Sequence, residues 1–258
     1  MNGTWPEGIF SARLIGELAK SGAIASDRPF DEDQIQPASL DLRLGTKALR
    51  VRSSFLPGPG QTVAQRIETL KLHEIDLTGG AVLERGCVYI VPLLESLDLP
   101  EIVAAAANPK SSTGRLDVFT RVIVDGARGF DAVPKGYKGP VYLEISPRTF
   151  PVLVRTGSRL SQMRFRVGNP RLSIEEHKAL HERETLVFDP NMDVGEGVSL
   201  SIDLEGKGRG GLIGFRSKRH TAVVDVDKKD ALDVLDYWDP LYNRGGELIL
   251  DPDEFYIL

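Results

Sequence analysis

Apolar and polar positions near the start of the chain follow first a helical and then a strand period. Residues 11–24 repeat apolar side chains every three or four positions behind Ser11, a candidate N-cap, and Gly22 follows as a stop signal. Residues 36–45 alternate leucine with polar residues, which is the period of a strand with one buried face. The pattern therefore predicts one amphipathic helix packed on a sheet.

Short apolar runs separated by glycine and proline continue along the chain. They predict strands at 81–83, 87–92, 118–124, 140–146, 152–155 and 160–165. Many short strands at this spacing favour a mostly-β fold, a distorted jelly-roll or β-barrel with an N-terminal helix. Residues 171–190 break the pattern, and Ser173 before a run of helix formers predicts a short helix or an extended tail that closes this first module.

The last part of the chain shows signs of an internal repeat. GVSLSIDL at 197–204 resembles PASLDLRL at 37–44, and ELILDPDEFYIL at 247–258 resembles GAVLERGCVYIV at 80–91. The glycine-rich run at 206–215 is interpreted as a turn that opens this second copy. We therefore divide the chain into a first module at 1–190 and the start of a second, incomplete module at 191–258, and expect a longer natural protein or pairing with another chain.

Composition excludes several classes of protein. The 26 glycines, 16 prolines and 7% aromatics suit short strands joined by turns, and a net charge of −5 argues against a dedicated nucleic-acid binder. The single cysteine, Cys87, excludes an internal disulfide framework and a cysteine-cluster zinc site, and we expect its side chain to be buried. No apolar run approaches the roughly 20 residues of a membrane span, and the first ten residues do not resemble a signal peptide. We expect a cytoplasmic protein without membrane contact.

Three segments together resemble the dCTP deaminase family, whose fold is shared with dUTP pyrophosphatases. They are PFDEDQIQPASLDLRLG at 29–45, PKSSTGRLDVFTR at 109–121, and GYKGPVYLEISP at 136–147 followed by RTGSRLSQMRF at 155–165. The resemblance implies hydrolytic deamination of dCTP to dUTP and ammonia, which supplies dUTP for dTTP synthesis. It also implies a homotrimer with sites at subunit contacts, or a pseudo-trimeric assembly of fused modules.

Deamination needs a base for the attacking water and an acid for the leaving amine. Zinc deaminases use one histidine and two cysteines in H-x-E and P-C-x-x-C patterns, which this sequence lacks, so we expect no zinc. The resemblance makes Glu144 the general base and proton shuttle. Taken alone, the alternation of residues 141–146 also permits a glutamate on the solvent side of a strand.

The serine-rich segment supplies the other predicted catalytic groups. In the family, Ser111 and Arg115 help to position the water and the glutamate from a neighbouring subunit, and Lys110 and Ser112 bind substrate. Hydroxyl and guanidinium donors suit phosphate oxygens or developing charge. The alternative is an ordinary polar turn, and lysine at 110, where the family has arginine, loses the planar two-pronged grip.

Asp125 and Asp131 compete for the sugar hydroxyl. The segment is longer than the family pattern, and Phe130 and Asp131 before the turn at 134–137 align with it when two residues are inserted, so we favour Asp131. The resemblance then places Arg128 one position from the family's second arginine and makes Tyr137 the aromatic residue near the sugar. The alternative is a mobile charged loop.

Two further residues complete the predicted binding set. Gln162 fits a family position near the nucleotide, although a glutamine in a strand is often only a satisfied polar residue. Lys178, together with Arg183, is a candidate for the triphosphate. Mg²⁺ is expected to arrive bound through the phosphates of the substrate.

Two other functions fit the same residues. One is dUTP pyrophosphatase activity, alone or coupled to deamination, because 206–215 superficially resembles the glycine-rich tail of those enzymes. The other is a non-catalytic nucleotide-binding or scaffolding protein in which one repeat has decayed.

Overall fold

A computed structural model describes residues 5–188, 197–198 and 200–258 of the chain. The helices are α1 (Ala12–Lys20), α2 (Val63–Leu70), α3 (Ser111–Gly114), α4 (Ile174–Glu184) and α5 (Val234–Tyr237). The first nine strands are β1 (Gly8–Ile9), β2 (Ile24–Ser26), β3 (Ile35–Gln36), β4 (Ser39–Arg43), β5 (Lys47–Val51), β6 (Lys71–Asp76), β7 (Ala81–Leu83), β8 (Val88–Asp98) and β9 (Val103–Pro109). The others are β10 (Val118–Val124), β11 (Ala132–Val133), β12 (Lys138–Pro147), β13 (Val152–Val154), β14 (Arg159–Val167), β15 (Leu212–Ser217), β16 (Val224–Asp225), β17 (Trp238–Tyr242) and β18 (Tyr256–Ile257).

Two six-stranded sheets build the larger part of the fold. The first has the order β11-β9-β14-β4-β3 with β1 on β14, and the second has the order β10-β12-β8-β5-β6 with β2 on β8. Two three-stranded sheets, β16-β13-β7 and β17-β15-β18, complete it. The prediction of a mostly-β fold with an N-terminal helix is confirmed. In the part of the chain that the structure describes, the sheets stay open instead of closing into a barrel.

The predicted elements and the observed ones differ mainly at their ends. Strands β7 and β10 have the predicted bounds, whereas β8 continues to Asp98. Helix α1 ends at Lys20, not at residue 24, because Gly22 adopts a positive φ of 82° and Ile24 already begins β2.

The main apolar core gathers side chains from both large sheets and from α1. Its fully buried members include Phe10, Ile15, Phe150 and Phe165. Each such side chain contributes roughly 1.5–3 kcal/mol by leaving water. Cys87 packs against this core but is only half-buried, so the expectation of a buried cysteine is wrong.

A second, smaller core lies on another face of the second sheet, and we call it the outer cluster. Helix α2 contributes to it, and Thr62 begins that helix with a capping box that includes Gln65. The members of the outer cluster are Leu49, Val51, Phe55, Val63, Ile67, Ile90, Ile123 and Tyr142. Since side chains alternate along β12, its residues are buried on both faces of the sheet.

Strand β4 is also buried throughout, so the prediction of a half-buried strand is wrong. Its polar positions are paired instead of solvated. The Arg43 side chain donates to Glu95 Oε1 at 2.8 Å, and Gln34 donates to the same oxygen at 2.8 Å. A buried charge is tolerated when it is paired and fully hydrogen-bonded, and this network meets that condition.

The C-terminal part is joined to the first sheets through β13. Strand β16 pairs with β13 in parallel, and the Arg155 guanidinium donates to both carboxylate oxygens of Asp225 at 2.7 and 2.8 Å. Helix α4 begins with the predicted Ser173 cap, and none of its residues is buried.

The structure describes only part of the proposed repeat. Residues 200–204 contain no strand, unlike β4, and residue 199 lies outside the described residues. The predicted boundary at 190 and 191 also lies outside them, so the two-module division stays a prediction. None of the described helices has the length and apolar character needed to cross a membrane.

Candidate active site

Glu144 lies on β12 with 1% of its surface exposed, directly opposite Arg121 on β10. The Arg121 Nε and Nη2 groups both donate to Glu144 Oε1, at 3.0 and 2.5 Å. Glu144 Oε2 is buried and has no hydrogen-bond partner among the described residues. The alternative of a glutamate on the solvent side of a strand is therefore wrong.

Arg121, which is not among the predicted site residues, is held from several sides. Its guanidinium carbon lies 3.6 Å from the centroid of the Phe130 ring and 4.8 Å from that of Phe119. Its Nη2 also donates to Ser54 Oγ at 2.7 Å. A charged residue within a mostly apolar strand was the available signal, but the partner of Arg121 is set by the pairing of β10 with β12.

The two aspartates predicted to compete for the sugar have different surroundings. Asp131 adopts a positive φ of 60°, and its Oδ1 accepts from the Val122 N–H at 2.8 Å. Burial raises the pKa of Asp131 and the nearby charge of Glu144 adds to this, while the Val122 hydrogen bond and Arg121 act in the opposite direction. Asp131 therefore shares the electrostatic environment of Glu144.

Asp125 instead supports the fold. Its Oδ1 accepts from the Val63 N–H at 2.7 Å, at the first turn of α2. A carboxylate at that position satisfies a free helix donor and favours the helix dipole. Asp125 thereby fixes the helix that contributes to the outer cluster.

Tyr137 and Arg128 lie in the turns around these aspartates. The Tyr137 hydroxyl donates to the Pro140 carbonyl at 2.7 Å and accepts from the Asp125 N–H at 3.2 Å. The side chain is buried, and that burial raises the pKa of Tyr137 to about 12. Arg128 is exposed. Both hydrogen bonds of the Tyr137 hydroxyl go to backbone groups of this chain, so the geometry does not support its predicted contact with the sugar.

Ser111, Ser112 and Arg115 lie on or directly after α3 and are exposed. Among the described residues, no hydrogen bond or ion pair joins any of them to Glu144. The single chain therefore presents these polar groups on its surface and does not bring them to the buried glutamate.

Lys110 and Gln162 belong to a second polar group, on the first sheet. The Lys110 ammonium forms an ion pair with the buried Asp41, and Gln162 accepts from Ser39 Oγ at 2.9 Å. Gln162 is also directly opposite Asp41 in the pairing of β14 with β4. The charge that was predicted to bind phosphate is thus compensated within the chain. Lys178 is exposed on α4, away from these contacts.

An open cavity of about 550 Å³ lies elsewhere and contains none of the predicted site residues. Arg43 and Arg155 line it, but both are already paired with carboxylates. The size of this cavity is therefore no evidence that it is the active site. Within the described ranges, no group of three or more His, Cys, Asp or Glu side chains could hold a metal ion.

Comparison with known proteins points to the same family as the three sequence motifs. The model of the 2'-deoxycytidine 5'-triphosphate deaminase (DCD) N-terminal domain matches residues 6–169, and that of the corresponding C-terminal domain matches residues 173–258. The chain belongs to the dCTP deaminase family. The resemblance stated from the three sequence segments is thereby confirmed.

Relatives of this dCTP deaminase family member include a solved structure and curated enzymes. The crystal structure of 2'-deoxycytidine 5'-triphosphate deaminase from Agrobacterium tumefaciens is 61% identical, with a TM-score of 0.93 over 97% of this chain and 75% of that one. A dUMP-forming dCTP deaminase of Coprothermobacter proteolyticus is 32% identical over 61% of this chain and 81% of its own length. A dCTP deaminase of Halorubrum lacusprofundi is 29% identical over 61% of this chain and 75% of its own.

Proposed function

We propose that this protein deaminates dCTP hydrolytically, with Glu144 as general base and proton shuttle. The observation that carries the proposal is the buried Glu144 carboxylate, which is fixed through one oxygen while the other is left without a partner. A positioned carboxylate of this kind contributes roughly 10²–10⁴-fold to a reaction that needs proton transfer.

The reaction balances with one water and no redox step. The water oxygen forms a bond to the ring carbon that bears the amine, and Glu144 takes one of its protons. The bond from that carbon to nitrogen then breaks, and the amine leaves as ammonia after gaining one proton. The second proton of the water ends on the adjacent ring nitrogen, which gives the uracil ring.

Asp131 is proposed to accept the hydrogen bond from the sugar hydroxyl. Its support is that Glu144 and Arg121 influence its pKa, while Asp125 is committed to α2. Lys110, Ser112, Arg128 and Lys178 are proposed for the phosphates, with Mg²⁺ arriving on the triphosphate. The Lys110 ammonium is paired with the Asp41 carboxylate, so it can bind a phosphate only if that ion pair opens or the phosphate joins it.

The complete site is proposed to form between copies of the chain. Ser111 and Arg115 are exposed and make no contact with Glu144 of their own chain, so a neighbouring copy is the source of groups that could reach it. A closed trimer, or fused modules that imitate one, satisfies this requirement. Because Glu144 is covered in the single chain, a covering group must also move when the nucleotide enters.

The proposed product is dUTP, and a second candidate is dUMP with pyrophosphate. The second candidate is favoured by relatives named as dUMP-forming, such as those of Coprothermobacter proteolyticus and Beutenbergia cavernae, although the Halorubrum lacusprofundi relative is named dCTP deaminase alone.

Incubation with dCTP and Mg²⁺, followed by ammonia measurement and phosphorus NMR, tests both statements. The proposal predicts one ammonia for each dCTP consumed and a triphosphate product. Ammonia with equimolar pyrophosphate would establish the dUMP-forming alternative. Binding of dCTP without ammonia would establish a non-catalytic nucleotide-binding protein.

A further inference from the structure

The contact between Arg121 and Glu144 has an uncommon geometry. An arginine that meets a carboxylate in a two-pronged pair usually donates to both oxygens. Here both donors, Nε at 3.0 Å and Nη2 at 2.5 Å, converge on Oε1, and Oε2 is buried without a partner in the described part of the chain. The two oxygens of Glu144 are therefore not equivalent.

Arg121 can hold the Glu144 carboxylate in one position because other contacts fix the Arg121 guanidinium itself. The guanidinium lies against the Phe130 and Phe119 rings and donates to Ser54 Oγ. Its side chain is 25% exposed, so solvent does not dominate these contacts. Stacking on aromatic rings and a fixed fork of donors are properties of arginine that lysine does not reproduce.

We propose that Arg121 is a positioning residue for deamination, an inference that rests on the proposed function. By holding Oε1, it leaves Oε2 as the oxygen that takes the proton from water and returns it to the leaving amine. Arg121 keeps its own protons and its charge throughout and touches neither the water nor the cytosine. The ion pair also compensates the charge of a carboxylate that has lost nearly all contact with solvent.

The test compares Arg121→Ala, Arg121→Lys and a matched control, Arg50→Ala. Arg50 lies on β5 of the same sheet and also contacts an aromatic ring, that of Tyr89, but its hydrogen bonds go to backbone carbonyls. Steady-state kinetics with dCTP, thermal unfolding, and activity with added guanidinium ion are measured for each variant.

The inference predicts that Arg121→Ala lowers kcat by about 10- to 100-fold with little change in KM, because a misplaced catalytic group costs about that much. Guanidinium ion, at concentrations that leave the melting temperature unchanged, restores part of the lost kcat. Arg121→Lys retains a charge but not the two converging donors, and it also loses kcat. Arg50→Ala stays within about twofold of wild type.

An undiminished or increased kcat in Arg121→Ala would overturn the inference, since it would make Arg121 a cover over Glu144 instead of its support. A loss in a folded variant that guanidinium ion does not restore would also overturn it. Both results leave the proposed function intact when the wild type releases ammonia. A wild type that releases no ammonia from dCTP overturns the proposed function and this inference with it.

Discussion

At the scale of single residues, the central feature is Glu144, an ionisable side chain that is buried almost completely. Moving a carboxylate out of water costs several kcal/mol unless a partner compensates its charge, and Arg121 is that partner for Glu144. The same neighbourhood includes Asp131, whose pKa is raised chiefly by burial. Two carboxylates that influence each other but have different hydrogen-bond partners can take different roles in a reaction.

Replacement of Asp131 by asparagine tests its role without disturbing the backbone. Asparagine tolerates the positive φ at this position and keeps an acceptor for the Val122 N–H, so the fold is retained. We expect Asp131→Asn to raise KM for dCTP about tenfold or more, because a hydrogen bond to a charged group contributes roughly 1.5–3 kcal/mol.

Asp125→Ala is the matched variant, measured by the same kinetics and by thermal unfolding. It removes the acceptor for the Val63 N–H and is expected to lower the melting temperature while KM stays near that of wild type. The reverse pattern, with KM raised only in Asp125→Ala, would assign the sugar to Asp125.

At the scale of elements, α2 packs in the outer cluster and helps to cover one face of β12. Its buried residues Val63 and Ile67 join the outer cluster on the face that also carries Tyr142. Since Tyr142 and Glu144 alternate along β12 with residues of the main core, this packing contributes to the burial of the face that carries Glu144.

Ile67→Ala tests the packing of α2. Ile67 is 3% exposed, so its truncation leaves a cavity in the outer cluster and is expected to lower the free energy of unfolding by about 2–4 kcal/mol. Glu68→Ala, one residue along the same helix and exposed, is expected to change it by less than about 0.5 kcal/mol. Urea unfolding measures both, and equal effects would show that α2 is not packed as described.

The elements also show what the sequence could and could not predict. Strands β7 and β10 were predicted at their observed bounds because apolar runs between turn residues carry that information locally. Helix α2 was missed because its eight residues bury only two side chains, although Thr62 and Gln65 form a capping box that the sequence contains.

The candidate site could be predicted only in part, because some of its contacts join residues that are far apart in the sequence. Glu144 followed from the family motif, but Arg121 did not, because its role depends on the register between β10 and β12. The pairing of Lys110 with Asp41 likewise joins residues that are distant in the chain. Such long-range contacts leave no local pattern.

At the scale of the whole molecule, ion pairs from Arg155 to Asp225 and Asp227 join the C-terminal part to the first sheets. Arg155 on the chain after β13 grips Asp225 of β16, and this contact lowers the pKa of Asp225 to about 2 from its ordinary value of 3.8. Polar groups also remain exposed on α3. The first feature concerns how the chain holds together, and the second concerns how copies of it are expected to meet.

The pH dependence of stability tests the Arg155–Asp225 contact. A carboxyl group with a lowered pKa in the folded protein stabilises it fully above the unfolded value, and this contribution is lost as the pH falls from about 4 to about 2. Asp225→Asn is therefore expected to cost about 1–2 kcal/mol at pH 7, after allowance for the solvent around Arg155. Thermal unfolding from pH 7 to pH 3 should show the two proteins converging below pH 4, and a constant difference would contradict the account.

Mixed assemblies test whether the site is shared between copies. Glu144→Gln and Arg115→Ala are each expected to be nearly inactive alone. After partial unfolding and joint refolding, the mixture should regain a measurable fraction of wild-type kcat, because some sites then combine an intact Glu144 with an intact Arg115 from a neighbour. A mixture no more active than its components would place both groups in the same chain.

The most direct test of the central claim is the rate of ammonia release by Glu144→Gln under single-turnover conditions with saturating dCTP. Glutamine keeps the size of the side chain and an acceptor for Arg121 but cannot take up the proton of water. We expect a rate lowered by roughly 10²–10⁴-fold with dCTP binding retained. Release of ammonia at the wild-type rate would contradict the central claim.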